Sequence, residues 1–131
     1  KNMNETLISF IKLQKIRTLI KKLFSKEEKI PPEFELILKK LIEFSKKKEA
    51  KLYFVYLPEY NRYKSKNYKN NNYLKIKKIL KKNDIKLIDV HDEFLKKEPN
   101  PLIYFPFEKY GHYNEFGYKK ITEFIYRSIN Q

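Results

Sequence analysis

Two apolar segments separated by a helical pattern constrain the fold of this chain more than any other feature. "KLYFVYLP" at 51–58 is a continuous apolar and aromatic run, and "IKLIDV" at 85–90 is a second, shorter one. Between them, residues 72–82 carry apolar side chains at helical spacing. A strand, a helix and a strand within about 40 residues form a βαβ unit with a right-handed crossover. We therefore predict parallel strands at 51–57 and 85–90, side by side, with the first buried on both faces.

Apolar periodicity predicts three further helices. The first covers residues 4–24, the second covers about 32–48, and the last begins after Asn114, a good N-cap residue, and ends near 129. The apolar stripe predicted for the second helix consists of Phe34, Ile37, Leu38, Leu41, Ile42 and Ser45. Residues 59–72 are predicted to form a polar loop, and "HDEFLKKEPNP" a short helical turn and loop.

Two strands are too few for a complete parallel sheet, because such a sheet needs both faces and both edges covered. Either further strands come from irregular segments, or part of a larger α/β domain lies outside this chain. We interpret residues 1–131 as a single partial domain with the helical segment 4–24 at its start.

Composition limits the classes of function. The chain has no cysteine, so it has neither a disulfide framework nor a thiolate metal site. No apolar run approaches the roughly 18–20 residues that span a bilayer. The net charge is +14, but lysines occur along every predicted helix and greatly outnumber arginines. Because phosphate-binding sites favour arginine, we interpret the lysines as solvated faces and do not expect nucleic acid as a partner.

Both glycines of the chain flank one histidine near the last helix. In open α/β sheets, ligands bind outside the carboxyl ends of the strands. The loop after Leu57, the stretch after Val90 and the loop before the last helix should meet there. In that last loop, Gly111 permits a tight turn, and Gly117 lets the helix lie close to a neighbour. The pattern predicts that His112 is aimed at the mouth of the sheet.

The block "FPFEKYGHYNEFGYKKITEFI" resembles the last conserved block of the SGNH/GDSL hydrolases, in which a catalytic His and a following "N..G" open the final helix. "LYFVYLPEYNRY" is similar to the strand and Pro-ended loop that precede this block in membrane-associated members. The resemblance covers residues from about 33 to the end. It implies a flavodoxin-like, three-layer α/β/α fold with a parallel sheet, and ester chemistry by a Ser–His–Asp set. It also implies a place in the bacterial cell envelope.

Two departures from the family pattern shape the expectation. The family nucleophile lies in a Gly-Asp-Ser stretch after the first strand, and this chain has no such stretch, nor the family's oxyanion-hole blocks. We expect these residues upstream, so that the chain corresponds to the C-terminal half of such an enzyme. The family acid precedes the His by two or three residues, where this chain has Tyr110 and Lys109. Glu108 is the candidate acid for His112, and a backbone carbonyl is the alternative.

Other polar residues have both a functional and a structural interpretation. Arg62 either binds a substrate carboxylate or phosphate, or is a surface residue. His91 and Asp92 are expected to cap a short helix, and Asp89 to cap or pair locally. "HDE" at 91–93 is too compact to bind one ion alone, so no metal site is predicted. Tyrosines such as Tyr60, Tyr63 and Tyr68 either stack on a ligand or pack across the loop.

Two functions from different classes follow from these observations. The first is part of an SGNH-type O-acyl esterase or acyltransferase that acts on an acylated small molecule or polysaccharide. In it, His112 and Glu108 serve catalysis, Arg62 and Asn114 serve substrate binding, and neither cofactor nor metal is needed. The second is a catalytically inert, basic α/β module that binds an anionic polymer.

Overall fold

The computed structural model describes residues 16, 29–109 and 111–130. The chain divides into two compact units, Lys1–Ile30 and Pro31–Gln131. The helix predicted for residues 4–24 lies outside the described residues except for Ile16, which is helical and exposed. The single partial domain over 1–131 therefore stays a prediction, and the elements below belong to the second unit.

The second unit contains the helices and strands that were predicted after residue 31, in the predicted order. The elements are α1 (Glu33–Lys47), β1 (Tyr53–Tyr56), α2 (Asn61–Lys64), α3 (Asn71–Lys82), β2 (Lys86–Asp89) and α4 (Glu115–Ile129). Four short helical turns connect β2 to α4: Val90–Phe94, Leu95–Lys97, Pro101–Tyr104 and Pro106–Glu108. The one-turn helix α2 falls inside the segment predicted to be a polar loop. Among the described residues, no helix is both long and apolar enough to cross a membrane.

The strands β1 and β2 form a parallel pair, with Tyr53 opposite Lys86 and Tyr56 opposite Asp89. The helix α3 connects them along the chain. This confirms the predicted order of strand, helix and strand, the parallel pairing of the two strands and a mixed helix-and-strand architecture, whereas the right-handed crossover stays a prediction. Within the described residues the sheet has two strands.

Two apolar clusters form the core of this unit. The first is centred on Leu38, Leu80 and Ile85, and Phe54 of β1 packs against it. Val55, the next residue of β1, packs against the second cluster. The buried members of the second cluster are Tyr60, Val90, Leu95, Tyr104, Phe105 and Ile121. Because successive strand residues point to opposite faces, β1 contributes to both clusters.

Two burial predictions are wrong. All four residues of β1 are half-buried rather than buried, although Phe54 and Val55 each pack against one of the two clusters. On α1, Leu38 is buried, but Ile37 and Leu41 of the predicted stripe are 55% and 45% exposed. The helix thus packs through a narrower stripe than its apolar pattern suggests.

Candidate functional site

The start of α4 is tied to the segment before it by Asn114. Its Oδ1 accepts a hydrogen bond from the Gly117 N–H at 2.7 Å, which caps the helix as predicted. Its Nδ2 donates to the Ile103 carbonyl at 2.8 Å, and its backbone N–H donates to the Tyr104 carbonyl at 2.9 Å. With these bonds made, the Asn114 side chain holds the junction that contains His112.

The two glycines serve this junction in different ways. Gly111 has φ +87°, which is the left-handed region that glycine adopts at low cost. Gly117 has an ordinary helical position, but a Cβ there would lie 2.5 Å from the Tyr104 carbonyl oxygen. The first glycine therefore permits the turn before His112, and the second permits α4 to approach the 101–104 turn closely.

His112 lines an open cavity of about 530 Å³. Its walls come from the loop after β1, from the turn before Gly111 and from the start of α4. They are Leu57, Pro58, Glu59, Tyr60, Asn61, Phe105, Lys109, Gly111, His112, Tyr113 and Tyr118. Two of the three segments predicted to converge at the carboxyl end of the sheet thus meet around the histidine, which is exposed to solvent.

Tyrosine hydroxyls fasten the cavity walls to each other. Tyr113 Oη donates to the Pro58 carbonyl, and Tyr60 Oη donates to the Glu108 carbonyl at 3.2 Å. The Phe105 ring lies between them, with centroid distances of 5.6 Å to Tyr60 and 4.9 Å to Tyr113. Burial raises the pKa of Tyr113 above its ordinary range, so its hydroxyl stays a donor. These two bonds connect segments at the cavity that lie about 50 residues apart in the sequence.

The structure does not bring Glu108 to His112. The Glu108 carboxylate is exposed, and its Oε2 lies 3.5 Å from Asn100 Nδ2. Phe107 and Glu108 both have positive φ, 51° and 53°, so the backbone is left-handed at this turn. Within the described part of the chain, the His112 ring makes neither an ion pair within 4.0 Å nor a hydrogen bond. The acid role of Glu108 stays a prediction without a contact behind it.

Arg62 is 9% exposed, so its interpretation as a surface residue is wrong. Its Nη2 donates to Tyr56 Oη at 3.0 Å, and its Nη1 donates to Asn70 Oδ1 at 2.6 Å. The guanidinium also lies 4.8 Å from the centre of the Tyr68 ring and 4.5 Å from that of Tyr73. These contacts join the end of β1 to the start of α3. Arg62 does not line the cavity, and a role in substrate binding stays a prediction.

A second polar cluster follows β2. Asp89, 2% exposed, accepts bonds from the backbone N–H groups of His91 and Asp92 at 3.1 Å, which confirms its predicted capping role. Its Oδ2 also accepts bonds from Tyr73 Oη at 2.6 Å and Lys77 Nζ at 3.1 Å. Sequence reasoning missed Tyr73 and Lys77. Their spacing of four on α3 was the available signal, because it places them on one helix face.

The electrostatics of this cluster favour a fixed ion pair. The hydrogen bond from Lys77 and the one from Tyr73 hold the pKa of Asp92 well below its usual range. Burial, together with the nearby Arg62 cation, lowers the pKa of His91. The His91 Nδ1 lies 3.0 Å from Tyr63 Oη. In the described residues, no three His, Cys, Asp or Glu side chains are grouped to hold a metal ion.

The described serines do not lie at the cavity. Ser45 and Ser128 donate to carbonyls one turn earlier in their own helices, at 2.9 Å each, and Ser65 accepts a bond from the Asn67 backbone N–H. Ser9 and Ser25 lie outside the described residues.

Comparison with protein-family models, with curated proteins and with solved structures gives no match to this chain. The resemblance of residues 105–125 to the final SGNH block therefore stays a prediction.

Proposed function

We propose that this chain supplies the general-base histidine of an SGNH-type O-acyl esterase or acyltransferase. The observation that supports it is the position of His112. It follows a left-handed glycine, precedes a capped helix and lines an open cavity next to the loop that follows β1. Ligands of open α/β sheets bind at this end of the strands. In this proposal the two strands belong to a larger parallel sheet, which is the middle layer of a three-layer, flavodoxin-like α/β/α fold.

In this proposal the chain contributes the general base, and the rest of the enzyme contributes the nucleophile and the oxyanion donors. A His112 ring nitrogen takes the proton from a serine hydroxyl as its oxygen attacks the ester carbonyl, and later returns it to the leaving alkoxide. The serine and the oxyanion donors come from upstream residues that carry the Gly-Asp-Ser stretch. Because His112 is solvent-exposed here, the approach of those residues would also bury it.

The cavity walls suit an acylated substrate. Tyr60, Tyr113 and Phe105 offer aromatic surface, and Glu59 and Asn61 offer polar atoms beside it. An acyl group fits against the rings, and a hydroxylated acceptor such as a sugar can bond to the polar atoms. Asn114 acts in this proposal through its cap, which fixes the direction of His112.

The two histidines of the chain provide a matched test. In the enzyme that includes the upstream segment, His112→Ala should lower turnover of p-nitrophenyl acetate by several orders of magnitude. His91→Ala should leave most of the turnover, because His91 does not line the cavity. The 131-residue chain alone should show no turnover beyond that of free imidazole, since a missing oxyanion hole alone costs roughly 10²–10³.

Two results would contradict the proposal. One is full activity of the His112→Ala enzyme. The other is His112-dependent turnover by the isolated chain, which would place a nucleophile within these residues. The gene sequence before Lys1 is a further check, since a Gly-Asp-Ser stretch is expected there.

A further inference from the structure

The excess positive charge of the second unit is confined to the segment between its two strands. Residues 60–83 contain nine basic and no acidic side chains. The rest of the unit, 31–59 and 84–131, contains thirteen basic and thirteen acidic ones and is neutral as a whole. Lysines occur in each of the helices α1 to α4, but acidic residues balance the basic ones over the rest of this unit and not in 60–83.

Most of these cations are free for a partner. Arg62 is buried, and Lys77 pairs with Asp89 and Asp92. The other seven are exposed lysines, and none of them has a carboxylate within 4.0 Å among the described residues. They are Lys64, Lys66 and Lys69 before α3, and Lys75, Lys78, Lys81 and Lys82 on it.

The lysines of α3 point away from the core. Tyr73 and Leu80 mark the buried face of the helix, and Lys75, Lys78 and Lys82 follow the i, i+3, i+7 spacing of the opposite face. They extend over about 10 Å of helix length. Leu74, 51% exposed, lies at the side of this lysine face.

An apolar hollow lies next to the same helix. It has a volume of about 410 Å³, with Leu80, Ile85 and Leu87 in its walls and Lys78 and Lys81 among its other lining residues. Asp84 and Lys77 complete it. Cations beside an apolar hollow suit an anion that carries a hydrocarbon part.

We propose that the exposed lysines of 60–83 form a docking surface for an anionic lipid bilayer. Three observations favour a bilayer over a nucleic acid. The exposed cations are lysines, which lack the bidentate fork of arginine. The tyrosine rings of 60–83 are buried or half-buried, and those of Tyr68 and Tyr73 lie against Arg62, so this segment offers no exposed ring for stacking on a base. Leu74 and the hollow offer apolar contacts that a polyphosphate backbone cannot use. This inference does not rest on the proposed function.

Vesicle co-sedimentation tests the docking surface. The chain should bind vesicles of phosphatidylcholine mixed with phosphatidylglycerol, and should not bind pure phosphatidylcholine. Each lysine near an anionic membrane contributes about fivefold in affinity. The triple variant Lys75→Gln, Lys78→Gln, Lys82→Gln should therefore bind up to roughly 100-fold more weakly.

A second triple variant is the control. Lys39→Gln, Lys40→Gln, Lys47→Gln removes the same charge from exposed positions of α1, including one last-turn lysine as in the first triple. It should keep most of the binding, and both variants should keep the wild-type circular dichroism spectrum. Equal losses in the two triples would overturn the proposal in favour of non-specific attraction by net charge. Binding of single-stranded DNA at a salt concentration that abolishes vesicle binding would overturn it in favour of nucleic acid.

Discussion

Gly117→Ala is the substitution that tests the packing around His112 most sharply. The new Cβ would lie 2.5 Å from the Tyr104 carbonyl oxygen and 3.2 Å from the Cβ atoms of Tyr104 and Tyr113. The first distance is well below van der Waals contact, and the obstacle is backbone, which cannot rotate away. The start of α4 must therefore move away from the 101–104 turn. That movement breaks the bond from the Asn114 N–H to the Tyr104 carbonyl.

The expected cost follows from three contributions. Forcing a methyl group into a packed contact costs about 1–3 kcal/mol. Losing one backbone hydrogen bond costs about 1 kcal/mol, and replacing glycine by alanine within a helix returns about 1 kcal/mol. The last two cancel, so the free energy of unfolding should fall by about 1–3 kcal/mol.

Urea unfolding followed by circular dichroism measures this change. With a slope of about 1–3 kcal/mol per molar urea for a domain of this size, the midpoint should fall by about 1 M. Lys119→Ala, an exposed position two residues further along α4, should leave the midpoint within experimental error. A midpoint for Gly117→Ala that equals or exceeds that of the wild type would refute the close approach, because helix propensity would then be the dominant effect.

Three further predictions concern the polar groups. Asn114→Ala should lower the free energy of unfolding by about 1–2 kcal/mol in the same assay, whereas Asn114→Asp, which keeps the cap but sets an oxygen in place of the Nδ2 donor against the Ile103 carbonyl, should recover only part of it. The lowered pKa of Asp92 adds stability that is complete above its ordinary pKa and is lost as the pH falls below it. Lys77→Met should remove most of this loss of stability at low pH, and should destabilise the chain at neutral pH, where Asp89 would be buried without a cation. A Lys77→Met variant whose stability falls with pH as the wild type's does would contradict the ion pair. The lowered pKa of His91 means that stability should decline as the pH falls below the ordinary histidine value; His91→Gln should lack that decline, and its persistence would assign it to another group.

The sequence predicted those parts of the fold that depend on residues close together in the chain. The strands, α3 and the start of α4 at Asn114 follow from apolar runs, helical spacing and a capping residue within a few positions of each other. The outward position of Ile37 on α1 could not be predicted in this way. Both Ile37 and Leu38 fit an apolar helix face, and only the packing of the first cluster decides which of them is buried.

At the candidate site, too, local features were predicted and features that depend on contacts between distant residues were not. The turn at Gly111 and the cap at Asn114 are local, and both were predicted. The burial of Arg62 depends on Tyr56 and Asn70, which come from different elements, so no local pattern identifies it. Phe107 and Glu108 are two successive left-handed residues, a conformation that non-glycine residues seldom adopt, so the sequence does not predict the turn on which Glu108 lies.

Chemical rescue tests the central claim, that His112 is a general base, most directly. In the enzyme with its upstream segment, His112→Gly should lose turnover by several orders of magnitude, and added imidazole should restore part of it, because the open cavity of about 530 Å³ admits the free base. The restored turnover should saturate with imidazole concentration. Imidazole should not raise the turnover of the His91→Gly enzyme. Undiminished turnover of His112→Gly without imidazole would contradict the account.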